Sequence, residues 1–141
     1  AADGADPDFC ANVVWLDGLV MNLDRTPRNP NLLTWHGRTW LIDHGAALYP
    51  QHSRGGLAAA ARDPFTLLTD HVLMPRASSL PAADERLAGT AADAARDAIE
   101  QVPDGWLGAD PAARRAAIAE FFTVRLDGSR PFVEEAERAR T

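Results

Sequence analysis

Apolar side chains recur at helical spacing near the start of the chain. The members of this stripe are Phe9, Val13, Leu16 and Val20. Steps of three and four residues place them along one face of an α-helix. Asp6 and Pro7 supply a capping oxygen followed by proline at the first helical position, so the helix is expected to begin there and to stop near Asn22. Asp17 lies off the apolar stripe.

A different pattern follows the first helix. Residues 32–35 and 39–43 are rich in β-branched and aromatic side chains, which favour strands. His36-Gly37 between them fits a tight turn, so the two segments predict a β-hairpin. Trp15 in the helix and Trp40 in the second strand are expected to lie in the core.

The remainder of the chain again shows helical patterns, separated by a loop over 46–53, a flexible joint at Gly55-Gly56 and a connector over 76–82. The further helices are expected over 64–75, 83–88, 90–101, 111–126 and 131–140. The last of these is polar and charged, which indicates an exposed and frayed helix. The pattern predicts a single domain over residues 1–141, mostly α (α+β), with about six helices around one small β-hairpin.

Composition narrows the classes of function. The chain has 141 residues, 46% of them hydrophobic, which suits one globular domain. Its net charge of −6 argues against nucleic acid or an anionic membrane as the main partner. No apolar run reaches the length of a membrane span, and the single Cys10 cannot form an internal disulfide, so a cytoplasmic setting is expected. Because the sequence starts without methionine, we expect a piece of a longer or processed polypeptide.

Two acidic residues and two carboxamides carry the candidate chemistry. Asp24 lies in a proline-bent loop after the first helix, and Asn29 and Asn31 follow it. Asp43 ends the second predicted strand, and Gly45 lets the chain turn away after it. Phosphoryl transfer uses one carboxylate to orient the attacking hydroxyl, and a second carboxylate with an amide oxygen to hold magnesium on the phosphates. The order and spacing predict such a site, with Asp24 as the base and Asp43 as the primary Mg²⁺ ligand.

The other members of the site have two interpretations each. Asn29 has the five-residue offset from Asp24 that kinases use, whereas Asn31 directly precedes the strand; the hairpin register favours Asn31. Arg25 and Arg28 could neutralise phosphate or hold the loop through carboxylates. Either acid alone would be interpreted as a turn or cap residue, and only the pair in this order favours a phosphotransferase.

Two segments carry a resemblance to a known family. Asn22-Leu-Asp-Arg-Thr-Pro-Arg-Asn-Pro-Asn-Leu-Leu33 and Trp40-Leu-Ile-Asp-His-Gly-Ala-Ala-Leu48 resemble the HipA-like kinases, a bacterial branch of the protein-kinase-like fold. The likeness continues through most of the chain. It implies a protein-kinase-like C-terminal lobe that uses ATP and Mg²⁺. It matches Asp24 to the catalytic acid, Asp43 to the metal-binding acid, and Asn29 or Asn31 to the second ligand.

The sequence also departs from the kinase pattern. Thr26 stands where the lipid-kinase pattern has histidine, and the metal-loop tripeptide is Asp-His-Gly, which brings His44 into the site. All 14 basic residues are arginine, and the N-terminal ATP-binding lobe with its glycine loop and lysine is absent from this chain. We therefore expect no useful kinase turnover from the chain alone, and a missing N-lobe or a partner protein to complete it. The competing interpretations are a truncated or pseudokinase remnant that acts as a protein-binding module and, more weakly, a magnesium-dependent hydrolase.

Overall fold

Helices dominate the computed structural model, which describes residues 5–141. The α-helices in this range are α1 (Pro7–Val20), α2 (Gly56–Ala60), α3 (Leu80–Gln101), α4 (Pro111–Leu126) and α5 (Pro131–Arg140). One antiparallel hairpin joins β1 (Leu32–Trp35) to β2 (Arg38–Leu41). Short 3-10 turns lie at Tyr49–His52, Thr66–Asp70, Met74–Arg76 and Asp104–Trp106. A mostly helical domain with one small hairpin is confirmed, with five α-helices in place of about six.

Helix α1 passes through the core. Its first turn is capped as expected, since the Asp6 carboxylate accepts a hydrogen bond from the backbone N–H of Phe9 at 3.0 Å. Buried positions occur all around α1 and not on one stripe alone, and they include Asp17. The helix ends at Val20, because Met21 takes the left-handed conformation with φ 51°. Because Asp17 is buried, its polar side chain needs partners inside the protein.

A glycine in α1 lets other elements approach closely. A Cβ atom at Gly18 would lie 2.7 Å from Phe132 and 2.9 Å from Leu68. The Gly18 carbonyl also accepts from Arg125 Nη2 at 2.7 Å, and the Arg125 guanidinium lies 4.7 Å from the Phe132 ring centroid. Burial lowers the pKa of Arg125 to about 10. Arg125 therefore ties α4 to α1 through backbone carbonyls and an aromatic face.

Helix α3 replaces two predicted helices. It runs unbroken through Gly89 and Thr90, and Ser79 caps it by accepting from the Ala82 N–H at 3.3 Å. The expected connector over 76–82 is therefore too long at its C-terminal end. Gly89 has open space around its Cβ position, so this glycine costs helix propensity without forcing a break.

The helix expected over 64–75 is wrong. Phe65 takes a left-handed conformation with φ 56°, so an α-helix cannot continue through it. The chain forms two 3-10 turns instead, Thr66–Asp70 and Met74–Arg76. Similarly, the expected loop over 46–53 contains the turn Tyr49–His52, and the expected flexible joint at Gly55-Gly56 begins α2.

Helix α5 is packed and not an exposed, frayed end. Phe132, Val133 and Ala136 are buried, and Phe132 meets the Trp15 ring edge-on at 5.9 Å. The charged residues dominate the sequence pattern of this helix, and the short apolar stripe was overlooked for that reason. The helix therefore closes the core beside α1. No helix within residues 5–141 has the length and apolar character needed to cross a lipid bilayer.

The hairpin turns one face to the core and the other outward. Leu32 pairs with Leu41, and both are half-buried against the core. Leu33 pairs with Trp40 on the opposite face, where Trp40 is 53% exposed. The expectation that Trp40 is a core residue is wrong, because the register places it on the outer face. The second strand also ends at Leu41, two residues before Asp43.

The close approach at Gly18 yields a stability prediction. Gly18→Ala would force a methyl group against Phe132 and Leu68, so we expect a loss of about 1–3 kcal/mol in the free energy of unfolding. The matched control is Gly89→Ala in the open face of α3, which should stabilise the protein by about 0.5–1 kcal/mol. Urea denaturation of both variants checks this. Equal effects of the two substitutions would contradict the packing described for α1.

Candidate functional site

The candidate site is built around the buried carboxylate of Asp17. Its Oδ2 atom lies 2.5 Å from Arg25 Nε and 2.9 Å from His71 Nε2, and its Oδ1 accepts from Asn22 Nδ2 at 3.0 Å. The side chains of Asp17 and Arg25 are both fully buried. A buried charge is tolerated only when it is paired and hydrogen-bonded, and Asp17 meets both conditions. Three donors from two chain segments, the loop after α1 and the turn at His71, therefore converge on one acid.

His71 acts in this cluster as a neutral hydrogen-bond donor. Its Nδ1 atom accepts from the backbone N–H of Leu73 at 3.1 Å, so the proton is placed on Nε2, which faces Asp17. The formal charges of Asp17 and Arg25 then balance each other inside the protein. His71 adds directional bonding without an unpaired buried charge.

The ionisation of Asp17 follows from these contacts. Burial alone would raise its pKa, but hydrogen bonds from His71 and Arg25, the positive charge of Arg25, and a hydrogen bond from Asn22 together lower the pKa below its ordinary value. Asp17 is therefore ionised in the folded protein at neutral pH. This is the acid that holds Arg25 in place.

Arg25 links the buried Asp17 to both candidate loops. Its Nη1 atom donates to the backbone carbonyl of Asn31, and its Nη2 atom lies 3.1 Å from His44 Nε2. The Arg25 carbonyl accepts from the Val72 N–H at 3.0 Å. Of the two interpretations of Arg25, these contacts are those of a loop anchor, since its guanidinium is enclosed by protein groups. Arg28, in contrast, is exposed.

Asp24 lies next to this anchor at the edge of the protein. Its backbone N–H donates to Asn22 Oδ1 at 3.3 Å, and its Oδ2 accepts from Asn29 Nδ2 at 2.8 Å. Asn29 is thus bonded to the candidate base. Within residues 5–141, no protein donor contacts the other carboxylate oxygen of Asp24. That oxygen is available to a hydroxyl group outside the protein.

Asn31 and Asp43 form the second part of the site. Asn31 Nδ2 donates to the Asp43 carbonyl at 3.4 Å, and the Asn31 carbonyl accepts from the Ile42 N–H at 3.0 Å. Both residues are left-handed, with φ 47° at Asn31 and φ 51° at Asp43. Left-handed backbone is uncommon outside glycine, although Asn and Asp tolerate it best. One Asp43 oxygen accepts from the Gly45 N–H at 3.4 Å, as in a turn cap.

Asn31 and Asp43 each keep a side-chain oxygen of a type that Mg²⁺ accepts. Asn31 Oδ1 and Asp43 Oδ2 have no protein donor among the described residues, and both are ligand types that Mg²⁺ takes. No group of three His, Cys, Asp or Glu side chains between Ala5 and Thr141 is arranged to hold a metal. Mg²⁺ is commonly bound by one or two protein ligands completed by phosphates and water, and that is the level of ligation these loops offer.

An exposed apolar surface adjoins the acidic loops. It is formed by Leu33, Trp35, Trp40 and Ile42 on the outer face of the hairpin. Ile42 directly precedes Asp43. Contiguous exposed apolar patches are common at the contact surfaces of proteins. We call it the hairpin patch.

Sequence reasoning missed two residues of the site. The sequence pattern places Asp17 off the apolar stripe of its helix, and it gives no reason to bring His71 into the site. In the structure, Asp17 pairs with Arg25, 8 positions later in the chain, and with His71, 54 positions later. The available signal was an acid inside an otherwise apolar helix, which requires a buried partner.

Comparison with protein-family models, with curated proteins and with solved structures finds no match for this chain. The likeness to HipA-like kinases therefore remains a prediction from the loop and hairpin residues. The contacts among Asp17, Arg25, Asn31 and Asp43 stand independently of it.

Removal of the central charge should destabilise the protein strongly. Asp17→Asn leaves the Arg25 guanidinium buried without a counterion, so we expect a loss of about 3–5 kcal/mol in the free energy of unfolding. The matched control is Asp93→Asn, which breaks only an exposed pair with Arg96 and should cost less than about 0.5 kcal/mol. Chemical denaturation measures both. A small effect of Asp17→Asn would contradict the anchor.

The lowered pKa of Asp17 sets the direction of the pH dependence. Because the folded-state pKa lies below the unfolded one, the stabilisation is complete above the unfolded value and is lost as the pH falls through the folded value. The stability difference between wild type and Asp17→Asn should therefore shrink only below about pH 4. Denaturation curves over the acid range measure it. A difference that already disappears near neutral pH would contradict the assignment.

Proposed function

We propose that this chain is the catalytic lobe of an ATP- and Mg²⁺-dependent phosphotransferase of the HipA-like kind, incomplete and without useful turnover alone. The observation that carries the proposal is the pairing of Asn31 with Asp43. The two ends of the hairpin meet there, 12 positions apart in the chain, both residues are left-handed, and each leaves one oxygen free of donors from the described residues. Backbone strain of this kind concentrates at functional sites.

Each residue has a distinct role in the proposed site. Asp43 and Asn31 would hold Mg²⁺ through oxygen atoms, with Asn29 as the alternative second ligand. The contact of Asn29 with Asp24 favours Asn31 as the ligand and Asn29 as a support for the base. When bound, the ion would neutralise charge on the phosphates. Asp24 would accept a hydrogen bond from the attacking hydroxyl and orient it.

The buried anchor supports this function through positioning. Phosphoryl transfer depends mainly on placing groups in line and on fixed charges, so small displacements of the loops are costly. Arg25 donates a hydrogen bond to the Asn31 carbonyl and lies beside His44, and the buried Asp17 holds Arg25 in position from the core side. The hairpin patch beside Asp43 offers an apolar surface for the flat base of a nucleotide.

A non-catalytic protein-binding module is the second candidate. It is favoured by the absence of lysine from the sequence, since kinases use a lysine to pair with the α- and β-phosphates. It also accounts for the hairpin patch, which would then contact a partner protein. The two candidates differ in whether the acidic loops bind a divalent cation with nucleotide.

Paramagnetic NMR tests the proposed metal site directly. Mn²⁺ replaces Mg²⁺ and broadens nearby amide signals, so in the presence of ATP we expect broadening centred on Asn31, Asp43 and His44. Asp43→Asn should weaken Mn²⁺ binding about tenfold or more. Asp97→Asn, an exposed acid on α3, is the matched control and should leave binding unchanged. Broadening spread over the surface acids, or unaffected by Asp43→Asn, would contradict the proposal.

A transfer assay tests whether the lobe is incomplete. With radiolabelled ATP and Mg²⁺, we expect no phosphate transfer above background from this chain alone. Transfer that depends on Asp24 would show that the chain is a complete enzyme. The two assays separate the candidates, because a purely protein-binding module gives neither localised Mn²⁺ binding nor transfer.

A further inference from the structure

A large apolar cavity lies between α1 and α3 and extends to Leu41, the last residue of β2, and to Leu48. Its volume is about 660 Å³, and α4 closes one side of it. Representative lining residues are Phe9, Leu16, Leu87, Ala94, Ile118 and Phe122. A cavity of this size falls within the range of protein sites for small molecules.

The two helices leave this space because of their side chains. Helix α1 presents large apolar residues, whereas α3 presents a row of alanines at helical spacing, Ala91, Ala94, Ala95 and Ala98. Alanine is too short to fill the gap to α1, so the gap stays open. An almost wholly apolar lining disfavours a charged or strongly polar ligand inside it. An alkyl chain satisfies that condition.

The polar residues of the lining indicate which head group a ligand of this cavity would carry. Asn12 and Thr90 are its polar residues, and Asn12 Oδ1 accepts from Arg86 Nη2 at 3.0 Å. Arg86 Nη2 also lies 3.9 Å from Asp8 Oδ1, which is beyond hydrogen-bond distance, and that oxygen accepts from Ser78 Oγ at 2.5 Å. Arg86 therefore keeps donors for an additional carboxylate.

We propose that this cavity binds a single-chain amphiphile with an anionic head, such as a long-chain carboxylate. The alkyl chain lies between α1 and α3, and the carboxylate pairs with Arg86 beside Asn12. The apolar lining accounts for the tail, and Arg86, bonded to Asn12, accounts for the charge of the head.

Calorimetric titration with dodecanoate, below its micelle concentration, tests the proposal on the wild-type protein. We expect saturable binding of one molecule, with affinity rising about tenfold for each two methylenes from octanoate to dodecanoate. Dodecyltrimethylammonium, which has the same tail and a cationic head, should bind at least about tenfold more weakly, because Arg86 would repel it. Absence of saturable binding, or equal affinity for both heads, would overturn the proposal.

Two variants separate the cavity from the surface. Ala94→Trp fills the cavity and should abolish dodecanoate binding, whereas Ala112→Trp, on an exposed position of α4, should not. Arg86→Gln should weaken dodecanoate about tenfold and narrow the difference between the two head groups. Wild-type affinity in Ala94→Trp would overturn the proposal.

Two further measurements cover folding and self-association. If Ala94→Trp does not fold, wild-type amide shifts decide: shifts that include the α1 and α3 residues of the cavity lining support the site, and shifts confined to the hairpin patch overturn it. If sedimentation shows a dimer that Ala112→Trp retains and Ala94→Trp loses, a second copy occupies the cavity and the proposal fails.

Discussion

The buried ion pair between Asp17 and Arg25 is the interaction on which the site depends. A carboxylate in the middle of a core helix is stable only if the chain brings donors to it, and the loop after α1 and the turn at His71 supply them. This requirement fixes how the loop leaves the helix. It also places the Arg25 guanidinium where it reaches the Asn31 carbonyl. The need to pair the buried Asp17 carboxylate thus determines the local path of the loop after α1 and of the turn at His71.

The same constraint links the core to the surface chemistry. Asp17 lies deep in the protein and cannot meet a substrate, whereas Asp24 and Asp43 lie at the edge. Arg25 connects the two levels, since it pairs with Asp17 on one side and contacts Asn31 and His44 on the other. The proposed function needs loops of low conformational freedom, and this linkage supplies that rigidity without using the carboxylates of Asp24 and Asp43.

Local signals predicted much of the fold, and long-range contacts account for the errors. The Asp6 cap, the His36-Gly37 turn and the extent of α4 follow from short sequence patterns and are confirmed. The left-handed Phe65 and the outward Trp40 depend on tertiary packing and on strand register, which a single sequence does not display. In the site, the loop acids could be proposed from their order. The partners of Asp17 could not, because His71 is remote in the chain.

A crystal structure with Mn²⁺ and a non-hydrolysable ATP analogue tests the central claim most directly. We expect one anomalous Mn²⁺ peak within coordination distance of both Asn31 Oδ1 and the Asp43 carboxylate, with Asp24 facing the terminal phosphate and Arg25 still paired with Asp17. Manganese bound elsewhere, or residues 24 and 43 facing opposite sides of the protein, would contradict it.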